Sequence, residues 1–171
     1  MIRKLIWNYC NKRYLKRVKK CGVRVGEGTV ILNSKLDLDF AFLIEIGNNC
    51  TLTGTRILAH DASTKRNLGY TKAGHVIIGN NCFVGQQSLI LPNVRIGDNC
   101  IIGAGCVVSK NIPSNSIAVG NPCKIIRNYD DYIELHKKNM SIRNCYDKFP
   151  FELTSEEKKM IFESDDISYT K

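Results

Sequence analysis

Acid is missing where base is concentrated. Residues 1–26 hold nine Lys and Arg (Arg3, Lys4, Lys12, Arg13, Lys16, Arg17, Lys19, Lys20 and Arg24) and no Asp or Glu. The whole chain of 171 residues has 25 basic and 16 acidic residues, a formal charge of +9, so the rest is formally neutral. A cationic surface spread over the fold, the footprint of a nucleic-acid-binding domain, is therefore excluded. No apolar run approaches the roughly 20 residues of a membrane span. The first apolar residues are broken by charge, so no secretory signal is expected. Histidine is scarce, with three in all at 60, 75 and 136. A zinc site of three His would need every one of them, and one lies far from the others, so no metal is expected. The eight Cys form no CxxC pair, which excludes the usual zinc and redox spacings.

What the chain does have is a period. Residues 76–119 read VIIGNN CFVGQQ SLILPN VRIGDN CIIGAG CVVSKN IPSNSIAV when cut every six. An aliphatic falls at Ile78, Val84, Ile90, Ile96, Ile102 and Val108. Two places earlier stands Val76, Cys82, Ser88, Val94, Cys100 or Cys106, each small or β-branched. Repeats are read before local propensity. A period of six fits neither a helix nor an unbroken strand. It fits a parallel β-helix, with three short strands and three corners per coil. The aliphatic and the small residue face inward and stack on their equivalents. Gly-Asn-Asn (79–81) and Gly-Asp-Asn (97–99) suit corners because these residues tolerate left-handed backbone. Cys82, Cys100, Cys106 and Cys50 sit at inward positions and read as reduced, buried thiols in a cytoplasmic protein.

The repeat starts at Val23-Arg-Val25-Gly and Thr29-Val-Ile31, loses phase over residues 32–45, and resumes at Ile46, Leu52 and Leu58. Between Leu58 and Ile78 about 14 extra residues leave the lattice as a polar loop, roughly residues 59–75. Function tends to sit on such loops. Ile2, Leu5, Ile6, Tyr9, Tyr14, Leu15 and Val18 follow a helical stripe that ends at Cys21-Gly22. This helix either caps the open end of the coil or lies on an anionic membrane or acidic glycan through residues 1–24. The chain reads as one domain: a basic helix over 1–21, a β-helix over 22–122, and a helical extension over 123–171. In that extension Tyr129–Met140 reads as a helix, Thr154-Ser-Glu-Glu157 as a capping box opening another, and the acidic end from Ser164 as loose.

The run IIGAGCVVSKNIPSNSIAVGNPCKIIR (101–127), with His60-Asp61 upstream, resembles the closing coils of hexapeptide-repeat acyltransferases. It is most similar to the galactoside and maltose O-acetyltransferases and their relatives in capsule and lipopolysaccharide synthesis. The resemblance covers about residues 23–127. It implies a left-handed parallel β-helix, a homotrimer with active sites between subunits, acetyl-CoA as co-substrate and a carbohydrate acceptor.

His60 is the candidate base. A hydroxyl is a poor nucleophile while protonated, and an imidazole titrating near neutrality suits its activation. The resemblance assigns the same role to a His just before the loop. Asp61 is a candidate to orient that ring or bind the acceptor, or else caps a turn. The resemblance further implies that an amide near Gly85-Gln86 holds the oxyanion, and that Ala104 touches the pantetheine arm. Ser109, Lys110, Lys124 and Arg127 match places that hold the nucleotide phosphates. Phe83 and Asn33 match places that line the acceptor site, and Asp37 and Asp39 are cases like Asn33. The first expectation is an acetyl-CoA-dependent O-acetyltransferase acting on a carbohydrate without an acyl-enzyme. Its alternatives are N-acetylation of an amino sugar or nucleotide-linked amino sugar, and a non-catalytic β-helix that binds glycan or membrane. The expected location is the cytoplasm, with the basic helix able to touch the inner face of the membrane.

Overall fold

The computed structural model describes residues 2–164 and 167–171. Contacts divide the chain into two compact units, one ending at Tyr129 and one of Asp130–Lys171. The first unit is a parallel β-helix with three flat faces. The first face stacks Arg24–Val25, Ile44–Ile46, Val76–Ile78 and Val94–Ile96. The second stacks Val30–Leu32, Thr51–Thr53, Phe83–Val84, Ile101–Ile102 and Ser116–Val119. The third stacks Lys35–Leu36, Arg56–Ile57, Leu89–Ile90 and Val107–Val108. All these pairings are parallel, so each coil hydrogen-bonds to the next.

The inward column of each face is the aliphatic of the hexad. Ile46, Ile78 and Ile96 fill one face, Leu52, Val84 and Ile102 the second, and Ile57, Ile90 and Val108 the third, each at most 1% exposed. Burying each such side chain stabilises the coil by about 1.5–3 kcal/mol. The small inward residues have a polar task as well. The hydroxyl of Thr29 and the thiols of Cys50, Cys82 and Cys100 donate to the carbonyls of Gly47, Gly79, Gly97 and Pro113 on the following coil. Corners without strand pairing are thereby tied together. Outside, the same corner is laced by Asn48, Asn80, Asp98 and Ser114, whose side-chain oxygens accept amides of the preceding coil. Asn49, Asn81, Asn99 and Asn115 hold left-handed φ between 52° and 58° there.

Two corners between the second and third faces are one residue short. Ile31 to Leu36 and Leu52 to Ile57 are five-residue steps, where Val84 to Ile90 is six. The inward residue of the second coil is therefore Ile57, fully buried, and Leu58 is only half-buried, correcting the expected phase. The cause is the tight Thr53-Gly54-Thr55 corner, with Gly54 at φ +53°. Gly85-Gln86-Gln87 occupies the longer equivalent one coil on.

The N-terminal helix, Ile2–Lys20, packs on the first coil. Val18 is fully buried, Asn11 Oδ1 accepts the Ile31 amide at 2.9 Å, and the Tyr14 hydroxyl donates to Ser34 O at 2.8 Å. Asn11 thus satisfies a strand edge that no further coil covers, which is the capping role. At the other end, Lys124–Asn128 turns back antiparallel to Ser116–Val119, a strand that the repeat did not announce.

The second unit holds two helices, Tyr129–Ile142 continuing from the first unit's last residue, and Ser155–Glu163. The latter opens on the expected capping box between Thr154 and Glu157. Tyr169–Thr170 pairs with Cys145–Tyr146, so the end of the chain is not uniformly loose, while Asp165 and Asp166 lie outside the described residues. Among the described residues no helix is long and apolar enough to cross a membrane.

Candidate active site

The loop excursion is an ordered hairpin. Ala59 is fully buried, which anchors the root. His60–Asp61 then pairs antiparallel with Lys72–Ala73, and the Gly74 amide donates to Ala59 O at 2.9 Å. A one-turn helix, Lys65–Leu68, forms the tip and ends at Gly69 with φ +78°. His60 therefore projects from a rigid corner where the third face turns to the first.

Its ring is held from two sides. Nδ1 hydrogen-bonds Asp37 Oδ2, and Phe40 stacks on the imidazole at 4.6 Å between centroids. The same Asp37 oxygen accepts the amides of Ala59 at 3.0 Å and His60 at 3.1 Å. Asp37 is itself fixed, its amide donating to Ile57 O and its side chain only 5% exposed. In the neutral ring a proton on Nδ1, facing the carboxylate, leaves the lone pair on Nε2, and no hydrogen bond occupies Nε2 among the described residues. The His60 side chain is 30% exposed and lines a cavity of about 240 Å³. The arrangement fixes the imidazole in place with a carboxylate behind it.

Asp61 is not the orienting acid. It accepts the Ser63 amide at 2.8 Å and pairs with Lys72 Nζ at 2.6 Å. The Lys72 ammonium first, and the Ser63 amide next, hold its carboxyl at about 2. Neighbouring residues on a strand point to opposite sides, which is why Asp61 turns away from the imidazole. The signal that could have found Asp37 was weak: a polar residue just after Leu36, in the segment where the repeat loses phase.

The remaining candidates lie along two edges. Ser109 and Lys110 share the edge of His60, with the coil of Leu91 between them. Asn33, Gln86 and Ala104 occupy the edge on the other side of the third face. There the Gln87 amide donates to Gly54 O and the Gly105 amide to Gln86 O. Asn33 itself is a left-handed corner residue, φ +49°. Phe83 is exposed on the second face, and Lys124 and Arg127 are exposed on the antiparallel closing strand. At about 3.3 Å per residue the third face separates the two edges by roughly 10 Å or more. One chain therefore does not bring Gln86 to His60.

The two amides at Gly85-Gln86 differ. The Gly85 amide donates to Ile102 O at 2.8 Å and is unavailable to an oxyanion. The Gln86 amide has no backbone acceptor among the described residues. Gly85 has another reason to be Gly: a Cβ there would lie 2.5 Å from Ala104 N.

Among the described residues no three His, Cys, Asp or Glu gather as metal ligands. His75 is exposed, and His136 in the second unit contacts Tyr169 and Tyr132.

A stacked hexad coil defines a class of transferase, and comparison with known proteins agrees. The family model described as bacterial transferase hexapeptide (six repeats) matches residues 75–110. Protein CapG of Staphylococcus aureus is 38% identical over 123 residues, covering 68% of this chain and 72% of CapG. The chain belongs to the hexapeptide-repeat transferase family, and its coil is the left-handed parallel β-helix of that family. A protein of S. aureus strain Mu50, provisionally named an acetyltransferase, is 47% identical over 66 residues, 39% of this chain. The match spans 33% of that relative's own length. The crystal structure of NeuO, described as a polySia-specific acetyltransferase, superposes with a TM-score of 0.53 at 26% identity. It covers 63% of this chain and 52% of NeuO.

Proposed function

We propose that this protein transfers an acetyl group from acetyl-CoA to a hydroxyl of a carbohydrate. The observation that carries the reading is the His60–Asp37 pair beside a cavity that His60 lines. The acceptor hydroxyl gives its proton to His60 Nε2 as its oxygen attacks the thioester carbonyl. The carbonyl oxygen becomes an oxyanion, which the Gln86 amide stabilises. Collapse expels the coenzyme thiolate, which takes the proton from His60. Atoms and charge balance with no acyl-enzyme. Asp37 is a positioning residue: it holds the ring and stabilises the imidazolium that forms between the two transfers.

Ser109, Lys110, Lys124 and Arg127 are the cations and hydroxyl proposed to hold the coenzyme phosphates, with Ala104 against its pantetheine arm. Phe83 and Asn33 are proposed to line the acceptor side. Because His60 and Gln86 lie on different edges of one chain, the site is completed by a second copy whose Gln86 edge faces the His60 edge. Three copies around an axis meet this requirement three times, so a homotrimer is the proposed assembly. The cytoplasm is the proposed location, consistent with thiols that are free. The basic helix caps the coil through one side, which leaves the exposed Lys12, Arg13, Lys16, Arg17, Lys19 and Lys20 for an anionic membrane or glycan surface.

The test is thiol release from acetyl-CoA against a panel of neutral, acidic and amino sugars, followed by mild alkali on the product. An O-acetyl ester is lost under alkali and supports the reading. An alkali-stable product formed only with amino sugars overturns it in favour of N-acetylation.

A further inference from the structure

We infer that the acceptor is an acidic sugar. Its carboxylate docks on Lys35 and Arg56 while its hydroxyl reaches His60. The inference rests on the acetyl-transfer reading above and adds the substrate class.

Lys35, Asp37, Arg56, Leu58 and His60 line the same cavity of about 240 Å³. The two cations are therefore within one sugar residue's reach of the base. They are also directly opposite each other, since Lys35 and Arg56 pair in register on adjacent strands of the third face. Such strands lie about 4.8 Å apart, and like charges directly opposite repel.

No ion pair relieves that repulsion. Among the described residues neither Lys35 nor Arg56 has an ion-pair partner. Asp37 is the one acid lining the cavity, and its Oδ2 is taken by the His60 ring and two amides. The first face shows how this fold handles a cation in a neighbouring-strand pair. Arg24 pairs in register with Glu45 and closes on it at 2.9 Å. The third face places two cations in the equivalent relation and leaves them open to solvent beside His60. An anion bridging both removes the repulsion, and a planar carboxylate suits the guanidinium fork of Arg56.

Position separates this anion from the coenzyme. Lys35 and Arg56 belong to the first two coils. The residues proposed for the coenzyme phosphates, Ser109, Lys110, Lys124 and Arg127, belong to the last coil and the closing strand, beyond His60. The base thus stands between two cationic groups, one for each substrate.

Matched oligomers that share every hydroxyl except the oxidised position test the proposal: gluco- against glucurono-oligosaccharides, and galacto- against galacturono-oligosaccharides. Binding is read by calorimetry and transfer by thiol release, for wild type, Lys35→Ala, Arg56→Ala and the double variant. Both side chains are exposed, so the variants keep the fold, and thermal melts check that. We expect one acidic member to bind at least about tenfold tighter than its neutral match, with each substitution losing about tenfold. The double variant abolishes the preference, while coenzyme A affinity is unchanged. Equal binding of acidic and neutral members, or no binding of either acidic one, overturns the proposal. So does a loss of coenzyme A affinity in the variants, which would assign the cations to the coenzyme. An acidic preference that the variants abolish, without transfer to any oligomer, upholds the anion site and counts against acetyl transfer alone.

Discussion

Replacing Asp37 by Ala removes one acceptor from three donors: His60 Nδ1 and the amides of Ala59 and His60. Each amide left without a partner costs about 1–3 kcal/mol, toward the lower end where water can enter. The variant should therefore melt lower by the equivalent of about 2 kcal/mol but remain folded. Catalysis should suffer more. The ring loses its tautomer control and the charge that stabilises its imidazolium form, worth roughly 10²-fold in kcat for a charge-assisted hydrogen bond. Because Asp37 acts only through His60, the effects cannot add. If His60→Ala costs about 10³-fold and Asp37→Ala about 10²-fold, the double variant should lose about 10³-fold, not 10⁵-fold. Asp37→Asn keeps the shape and at least one amide bond, so it separates orientation from charge. Thiol release under saturating acetyl-CoA reads kcat, and the acceptor KM should move less than threefold by this reasoning. Additive losses in the double variant, or an Asn variant with wild-type kcat, would refute the coupling.

Other outcomes follow from the same geometry. Asp61→Asn should leave kcat within about threefold, since Asp61 holds the hairpin and not the ring. Its carboxyl sits at about 2, below the ordinary 3.8, so the Lys72 pair is intact above the ordinary range and is lost as pH falls through about 2. Amide NMR signals of the hairpin should broaden over that window in wild type, and already at neutral pH in the variant. Gly85→Ala should lower stability by a few kcal/mol, read by chemical unfolding, because its Cβ would fall 2.5 Å from Ala104 N and force adjacent coils apart. Exposed Cys21 and Cys145 should react at once with a thiol reagent, while Cys50, Cys82, Cys100 and Cys106 react only on unfolding.

The hexad made most of the coil legible, because one aliphatic every six residues can be buried in only one way. It failed where the step changed. The five-residue step from Leu52 to Ile57 moved the inward site off Leu58, and nothing in residue type distinguishes Ile57 from Leu58 as core. The position of His60 at the loop root was legible from the break in the hexad, while its choice as a base leaned on the family resemblance, since a loop His alone is more often merely exposed. Asp37 was not, since its partner is 23 residues away and the intervening segment breaks the repeat. Asp61 was the natural choice by adjacency, and strand alternation overrode it. Gly85 was singled out by place along the chain, whereas only the ladder shows its amide engaged and the Gln86 amide open. Lys35 and Arg56 carry no sequence signal as a pair, because their meeting depends on the shortened corners that set the register.

The central claim is that His60 is the base in acetyl transfer. The most direct measurement is kcat for thiol release from acetyl-CoA by His60→Ala beside wild type, with an acceptor that wild type turns over. The account predicts a fall of roughly 10²–10⁴-fold with coenzyme A affinity retained. A variant that keeps wild-type kcat would contradict it and remove His60 from the chemistry.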